Sequence, residues 1–467
     1  MAVIDPDWAW QTYEPSAQNP WNLQKVGHLY RRAALGARWD ELQQGLQLGP
    51  HKLIDRLLRG GEQTAEFDRE THAWGQTIRT ANNGTQAPAW WLWRMLRTPH
   101  PLREKMTLFW HNHFATSNAK VRNAAYMLGQ YDLLYKYALG SFASLLQEIS
   151  KDPAMMLWLD TVQSKKGMPN ENYARELMEL FSLGIGNYTE SDIREAARAL
   201  TGWEIRSGHF YLNKSQQDTG SKTVFKQTGH WSGEDIVRLC LEKDACSLFI
   251  IRKLFRFLIG ENCAPTPALL NPLAQEYRHS YETGKIVEKI IRSNLFFSAN
   301  SYRGSIKSPV DFIVSIVRAF EAQIGSSELA RDLETLGQNL LNPPSVKGWD
   351  GGQAWLNSQT LLYRQNLALR LCDHRVSNSL QSGGSLPLPV ALVRKLHCDE
   401  PGAMIDLFLK LFVDNVVPPE TRARLVAWSS KTLSSSYPLH WSPERRSEHR
   451  IITACHLILT LPEFQLN

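Results

Sequence analysis

Apolar residues recur at helical spacing along most of the chain, and the stretch 169–203 shows this pattern most clearly. At about 100° per residue, residues 171–183 form one apolar and one polar arc. The apolar arc contains Tyr173, Ala174, Leu177, Met178, Leu180 and Phe181, and the polar arc contains Glu171, Asn172, Arg175, Glu176 and Glu179. Gly184 and Gly186 can end this helix, and Thr189 with Asp192 can cap a second one. The pattern predicts a helical hairpin with one charged face on each helix.

The same spacing elsewhere predicts a mainly α fold, a large multi-helix globular array. The stretch 204–230 is the exception, because short β-prone runs alternate there with turn residues and predict a small β-hairpin or irregular insert. Residues 1–22 contain three prolines and predict an N-terminal arm, followed by a helical core at 23–376. The Ser/Gly/Pro-rich stretch 377–389 is typical of a linker. Residues 390–467 predict a C-terminal helical segment packed on the core.

Composition excludes several classes of protein. The chain has 52 lysines and arginines and 46 acidic residues, which gives a net charge of +6 over 467 residues. This charge is too small to indicate nucleic-acid binding. Six cysteines without a CxxC pair argue against a disulfide scaffold or zinc ribbon. The first residues lack the basic-then-apolar pattern of a secretory signal, and the apolar stretches are too short and too charged for a membrane span. We expect a soluble cytoplasmic protein, with export in complex with a signal-bearing partner left open.

Two histidines lie at the end of the predicted helix 101–114, in the run His111-Asn112-His113. In a regular helix His113 shares the apolar arc with Phe109 and Trp110, whereas His111 lies on another side, so both imidazoles cannot bind one metal ion. In extended backbone, positions i and i+2 face the same way and both could bind it. A lone histidine on an apolar arc is more often a satisfied core residue than a ligand.

The charged face of the predicted hairpin is the second candidate site. If this face lines a cleft, its carboxylates could position a metal, a cationic group or a proton-transfer network; in solvent they would form ordinary helical ion pairs. The candidate catalytic residues are His111, His113, Glu171, Arg175, Glu176 and Glu179. The candidate ligands of a divalent metal are His111, His113, Glu176 and Glu179.

A restricted loop at 342–357 and two arginines complete the candidate residues. Prolines and glycines constrain the loop, as in many sites, although its spacing is not that of a Walker motif. The candidate substrate-binding residues are Arg194, Arg198, Lys347, Trp349 and Asp350, which suit an anionic or sugar-like substrate; bracing of the fold is the alternative for the loop. The 16 tryptophans favour packing between helices over a stacking platform for a sugar or aromatic ligand.

Several of these runs also resemble a known family. They are HLYRRAALGA (28–37), REKMTLFWHNHFAT (103–116), DPAMMLWLD (152–160), the whole stretch 169–203, IRKLFRFL (251–258), SPVDFIV (308–314) and NPPSVKGWDGGQAWLNSQTLL (342–362). They resemble the bacterial family catalogued as domain of unknown function 1800. The resemblance implies a mainly helical protein without a named reaction. It also suggests a partner, because genes of this family often accompany a second uncharacterised family that resembles sulfatases and alkaline phosphatases.

One position departs from the family pattern. Gln217 precedes Asp218 in the run QQDTGSKTVFK, where the resemblance implies a histidine. Any role that depends on a histidine there is therefore in doubt for this chain.

The sequence leaves two functional hypotheses. It contains no nucleophile elbow, HExxH, Walker A or dinucleotide motif, and no ExxH pair on the central helices. The first hypothesis is an enzyme-like, metal-dependent site formed by the histidine-bearing helix and the charged hairpin. The second is a non-catalytic helical partner, or escort, of a protein that resembles sulfatases or alkaline phosphatases. Convergence of Glu176, Glu179 and His111 in one concave site would favour the first.

Overall fold

The computed structural model describes residues 4–61, 64–377, 385–431 and 441–467, and within them the chain is mainly helical, as predicted. The helices before the hairpin are α1 Pro6–Trp10, α2 Leu23–Ala33, α3 Trp39–Arg59, α4 Thr64–Thr80, α5 Ala87–Arg97, α6 Pro101–His113, α7 Asn118–Val121, α8 Ala124–Lys136, α9 Phe142–Ser150 and α10 Pro153–Trp158. The hairpin consists of α11 Asn172–Glu176, a π-helical turn Leu177–Ser182 and α12 Glu190–Ala199. The helices after it are α13 Gly233–Leu241, α14 Asp244–Leu258, α15 Pro267–Ser280, α16 Thr283–Arg292, α17 Pro309–Ala319, α18 Ser326–Thr335, α19 Ser358–Asp373, α20 Leu388–Lys395, α21 Pro401–Val413, α22 Pro419–Lys431 and α23 Pro443–Leu459.

The strands form small antiparallel pairs. In the predicted insert, β1 (Trp203–Arg206) pairs with β2 (His209–Leu212), and β3 (Lys222–Val224) pairs with β4 (Gln227–Gly229). A third pair joins β5 (Arg375–Ser377) to β6 (Ser385–Pro387). Residues 378–384 of the predicted linker lie outside the described residues, and its last residues already belong to α20.

The central helix of the fold is α6, which positions the candidate histidines. Between Pro101 and His113, Arg103 and Asn112 alone keep partial exposure. The helix carries a carboxylate into the core, since Glu104 is fully buried. Glu104 accepts hydrogen bonds from Arg94 Nε at 2.9 Å, Trp91 Nε1 at 3.1 Å and the Tyr131 hydroxyl at 2.8 Å. Every donor comes from another helix, so this cluster joins α5, α6 and α8.

Buried charges also attach the last segment of the chain to the core. Arg31 on α2 donates to both carboxylate oxygens of Asp414, at 2.7 and 2.6 Å, and the Tyr302 hydroxyl donates to the same group at 3.0 Å. Asn467 donates to Asp311 on α17 at 3.1 Å. Asp414 and Asn467 therefore connect the described part of this segment to α2 and α17 through specific polar contacts.

The cysteines are unpaired. Cys240, Cys246, Cys263, Cys372 and Cys455 are buried, whereas Cys398 is partly exposed. Burial raises the pKa of the Cys240 thiol to about 12. Among the helices of the described segments, none has both the length and the apolarity that a bilayer crossing requires.

Candidate functional site

His111 is a buried side chain that holds a distant loop. Its Nε2 accepts a hydrogen bond from the backbone N–H of Leu341 at 3.2 Å, so its proton lies on Nδ1. Nδ1 has no partner among the described residues. The ring centroid lies 5.1 Å from that of Trp91 and 5.6 Å from that of Trp349. Burial lowers the pKa of His111 to about 3, which keeps the ring neutral and suits a structural contact.

Asn112 fixes the restricted loop predicted at 342–357. Its side chain accepts from the backbone N–H of Trp349 at 2.7 Å and donates to the Trp349 carbonyl at 3.3 Å. The loop approaches so closely that a Cβ on Gly348 would lie 2.3 Å from the Asn112 side-chain oxygen. Trp349 is consequently buried, whereas Lys347 and Asp350 pair with each other at 2.6 Å and remain exposed.

His113 points to a third segment, the end of the π-helical turn. Its Nε2 donates to the Phe181 carbonyl at 3.0 Å, and its Nδ1 accepts from Lys253 Nζ at 2.9 Å. Lys253 also donates to the Leu180 carbonyl at 3.2 Å. Burial lowers the pKa of Lys253 to about 8. The two side chains therefore satisfy carbonyls at the end of a helix, where backbone acceptors lack intrahelical partners.

The helix α6 is regular through His113, so its consecutive polar side chains diverge. His111 reaches Leu341, Asn112 reaches Trp349 and His113 reaches Phe181. The structure does not bring the two imidazoles together, as expected for the regular-helix alternative. Within the described part of the chain, no group of three or more His, Cys, Asp or Glu side chains is placed to hold a metal ion.

The first helix of the hairpin carries an accessible ionic face. Arg175 is half-buried and donates to both carboxylate oxygens of the exposed Glu190, each at 2.8 Å. It also lies 3.4 Å from Glu171. All three side chains remain accessible to solvent, so the pairs contribute little to stability, and the face resembles the solvated alternative more than a closed site.

A pair of glutamates lies further along the same face. Glu179 accepts a hydrogen bond from the Tyr188 hydroxyl at 2.7 Å. Glu176 is half-buried, and both this burial and the neighbouring Glu179 carboxylate raise its pKa. This is the part of the predicted site where two carboxylates influence each other.

The arginines of α12 have different roles. Arg198 donates to Asp218 at 2.8 Å and to Glu195 at 2.8 Å, which fastens the β insert to the hairpin. The hydrogen bond from Arg198 lowers the pKa of Asp218. Arg194 is exposed. Asp218, which follows the position where Gln217 differs from the family pattern, therefore anchors the insert.

The predicted residues thus occupy three places: a buried helix, an accessible hairpin face and a loop held by Asn112. Lys253 is not among the residues predicted from the sequence. Its neighbours Arg252 and Arg256 are exposed, whereas Lys253 turns inward. The signal lay in its spacing, since Phe249 and Phe257 stand four residues to either side and place Lys253 on an aromatic stripe.

A family model, described as protein of unknown function (DUF1800), matches residues 28–466. No curated protein and no solved structure shows a significant match. Because the match includes α6, the hairpin and the 342–357 loop, the chain belongs to the DUF1800 family.

Proposed function

We propose that this chain is a non-catalytic helical binding protein whose hairpin contacts a partner protein. The observation that carries the proposal is the accessible hairpin face, where the charged groups pair with one another while both histidines are occupied by backbone groups elsewhere. Such a surface offers charge for orientation of a partner, whereas a catalytic site would need these groups to converge on one reacting atom.

Two exposed apolar side chains support the proposal. Ile185, in the turn between the two helices, is 80% exposed, and Met168, just before α11, is 78% exposed. Protein interfaces commonly combine apolar anchors with a polar rim. The hairpin thus presents an anchor near each end of an ionic face.

The partner that we propose is a protein resembling sulfatases or alkaline phosphatases. The support is the gene association implied by the family resemblance, together with the mixed charge of the hairpin, which favours a folded protein surface over a polyanion.

The test is co-purification of this chain with a sulfatase-like or alkaline-phosphatase-like protein taken from the gene neighbourhood that the family resemblance implies. We expect Ile185→Asp and Arg175→Glu to weaken the complex by roughly tenfold or more, because a buried interface anchor contributes about 2 kcal/mol or more. Val416→Asp, at another exposed apolar position, and Arg331→Glu, at an exposed arginine outside the hairpin, are the controls. Absence of a complex, or equal weakening by the controls, contradicts the proposal.

The second candidate is an enzyme-like site around Glu176 and Glu179 that acts on an anionic or sugar-like substrate with a divalent metal. The raised pKa of Glu176 beside Glu179 favours it, because perturbed carboxylates are common in active sites. Its test is the metal content of the purified protein. About one equivalent per chain that is lost in Glu176→Gln but retained in Glu190→Gln supports this candidate; a metal-free protein overturns its metal-dependent form.

A further inference from the structure

A cleft of about 1490 Å³ lies apart from the hairpin, between α3, α4, α5 and the connection from α17 to α18. Its lining residues include aromatic side chains from α4 and α5 and arginines from α3 and α17. The volume exceeds that of a typical small-molecule site, and nothing in the hairpin proposal accounts for it.

One wall of the cleft is aromatic. The rings of Phe67 and Trp93 are parallel, with centroids 6.0 Å apart, and Trp74 meets Trp93 edge-on at 6.1 Å. The Arg97 guanidinium lies 5.3 Å from the centroid of a Trp93 ring. Within the described segments, the indole N–H of neither tryptophan makes a hydrogen bond to protein. This differs from Trp90, whose N–H donates to the Thr71 carbonyl at 2.9 Å in the core.

Another wall of the cleft carries cations, one of which has an unsatisfied buried nitrogen. Arg318 is only 8% exposed; one terminal nitrogen contacts both oxygens of Glu41, at 3.1 and 3.2 Å, while its buried Nε has no partner among the described residues. Tyr30 is 4% exposed as a residue, and its hydroxyl, which makes no hydrogen bond to a described residue, is accessible from the cleft. Buried polar atoms are normally satisfied, so the unpartnered Arg318 Nε beside an accessible phenol indicates that another group binds in this cleft.

The charges favour an anion at this wall. Three arginines, Arg38, Arg56 and Arg318, lie beside two carboxylates, those of Asp40 and Glu41, which leaves a positive excess. Burial, together with Glu41, raises the pKa of Tyr30, so the phenol remains a hydrogen-bond donor. Arginine and phenol donors suit the oxygens of a phosphate or carboxylate.

Among the described lining residues, the remaining carboxylates are paired or belong to the aromatic wall. Glu321 is paired with Lys395 at 2.8 Å, and Glu66 and Glu70 are exposed side chains on α4, on the side of the aromatic wall.

We propose that this cleft binds a small organic anion that carries a ring, with its acid group at Tyr30, Arg56 and Arg318 and its ring against Trp74 and Trp93. The inference is independent of the proposed contact between the hairpin and a partner protein. The cleft offers such a ligand two kinds of contact: hydrogen-bond donors for the acid group and an aromatic surface for the ring.

The test is isothermal titration of the full chain with phenyl phosphate and benzoate, which combine a ring with an acid group, and with inorganic phosphate and phenol, which each provide one part. We expect phenyl phosphate or benzoate to bind at least about tenfold more tightly than phenol and inorganic phosphate. The stronger of the two ring anions then identifies phosphate or carboxylate as the acid group.

Variants locate the binding. Tyr30→Phe and Arg56→Gln are expected to weaken the binding of the ring anion by about five- to tenfold, because each removes one donor to a charged group. Trp93→Ala is expected to weaken the binding of phenyl phosphate more than the binding of inorganic phosphate. Tyr211→Phe and Arg331→Gln, at exposed positions outside the cleft, are the controls, and circular dichroism verifies the fold of each variant.

Three results overturn the proposal. Neither ring anion binds the folded protein at millimolar concentration; inorganic phosphate binds as tightly as the better ring anion; or the cleft variants bind the ring anion no more weakly than the controls do. Weakening confined to Tyr30→Phe, Arg56→Gln and Trp93→Ala supports it.

Discussion

Replacement of Glu104 by alanine is expected to lower the free energy of unfolding by about 3–5 kcal/mol, because it leaves the buried Arg94 guanidinium without its counter-charge. The carboxylate is fully buried and also accepts from Trp91 and Tyr131, so three donors lose their acceptor at once. Urea denaturation followed by tryptophan fluorescence measures the change.

The control for this variant is Glu66→Ala, at an exposed glutamate, for which we expect a change of less than about 0.5 kcal/mol. If Glu104→Ala unfolds at the same urea concentration as the unmodified chain, the cluster does not hold α5, α6 and α8 together. A Glu104→Gln variant keeps the volume but loses the charge, and it separates the electrostatic contribution from the cavity.

Acidification is expected to destabilise the protein through His111. Burial lowers the pKa of this residue from 6.5 to about 3, so below pH 6.5 the unfolded chain binds a proton that the folded chain does not. The stabilisation from His111 is fully present above pH 6.5 and is lost as the pH falls toward 3. At about 1.4 kcal/mol per pH unit, the loss is on the order of 4 kcal/mol.

The measurement compares the unfolding free energy of the unmodified chain with that of His111→Gln at pH 7, 6, 5 and 4. The comparison with His111→Gln is needed because Asp152 also makes the unfolding free energy depend on pH. Burial raises the pKa of Asp152 to about 7, so its contribution has the opposite sign in part of this range, and it is the same in both proteins. We expect the advantage of the unmodified chain to shrink steadily below pH 6.5. A constant advantage would show that His111 does not cause the acid sensitivity, and His209→Gln, at an exposed histidine, is the control.

Local features of the fold were predictable because they depend on neighbouring residues. Thr189 and Asp192 form the expected capping box on α12, and Gly184, at φ +80°, closes the first helix of the hairpin. Gly49, at φ +76°, precedes Pro50 and breaks the regular helical backbone of α3. Each outcome follows from backbone preferences that act over a few residues.

Features that depend on distant partners were not predictable. The run Leu177–Ser182 has ordinary helical spacing, yet it forms a π-helical turn, where the Ser182 hydroxyl donates to the Leu177 carbonyl. The carbonyls at its end are bound by His113 and Lys253, from two other helices. Glu104 likewise reads as a surface residue until Trp91, Arg94 and Tyr131 surround it. Spacing in a sequence gives no information on which remote side chains meet.

The buried cysteines have a consequence for following the folding of this chain. Thiolates are the reactive form of cysteine, and burial shields a thiol from reagents; at Cys240 burial also raises the pKa, which keeps that thiol protonated. A thiol reagent would therefore modify Cys398 in the native state, while the other five positions would react only when the surrounding helices open. The rate at which each buried cysteine is alkylated, followed by mass spectrometry, would therefore report local opening at five internal positions without an engineered label.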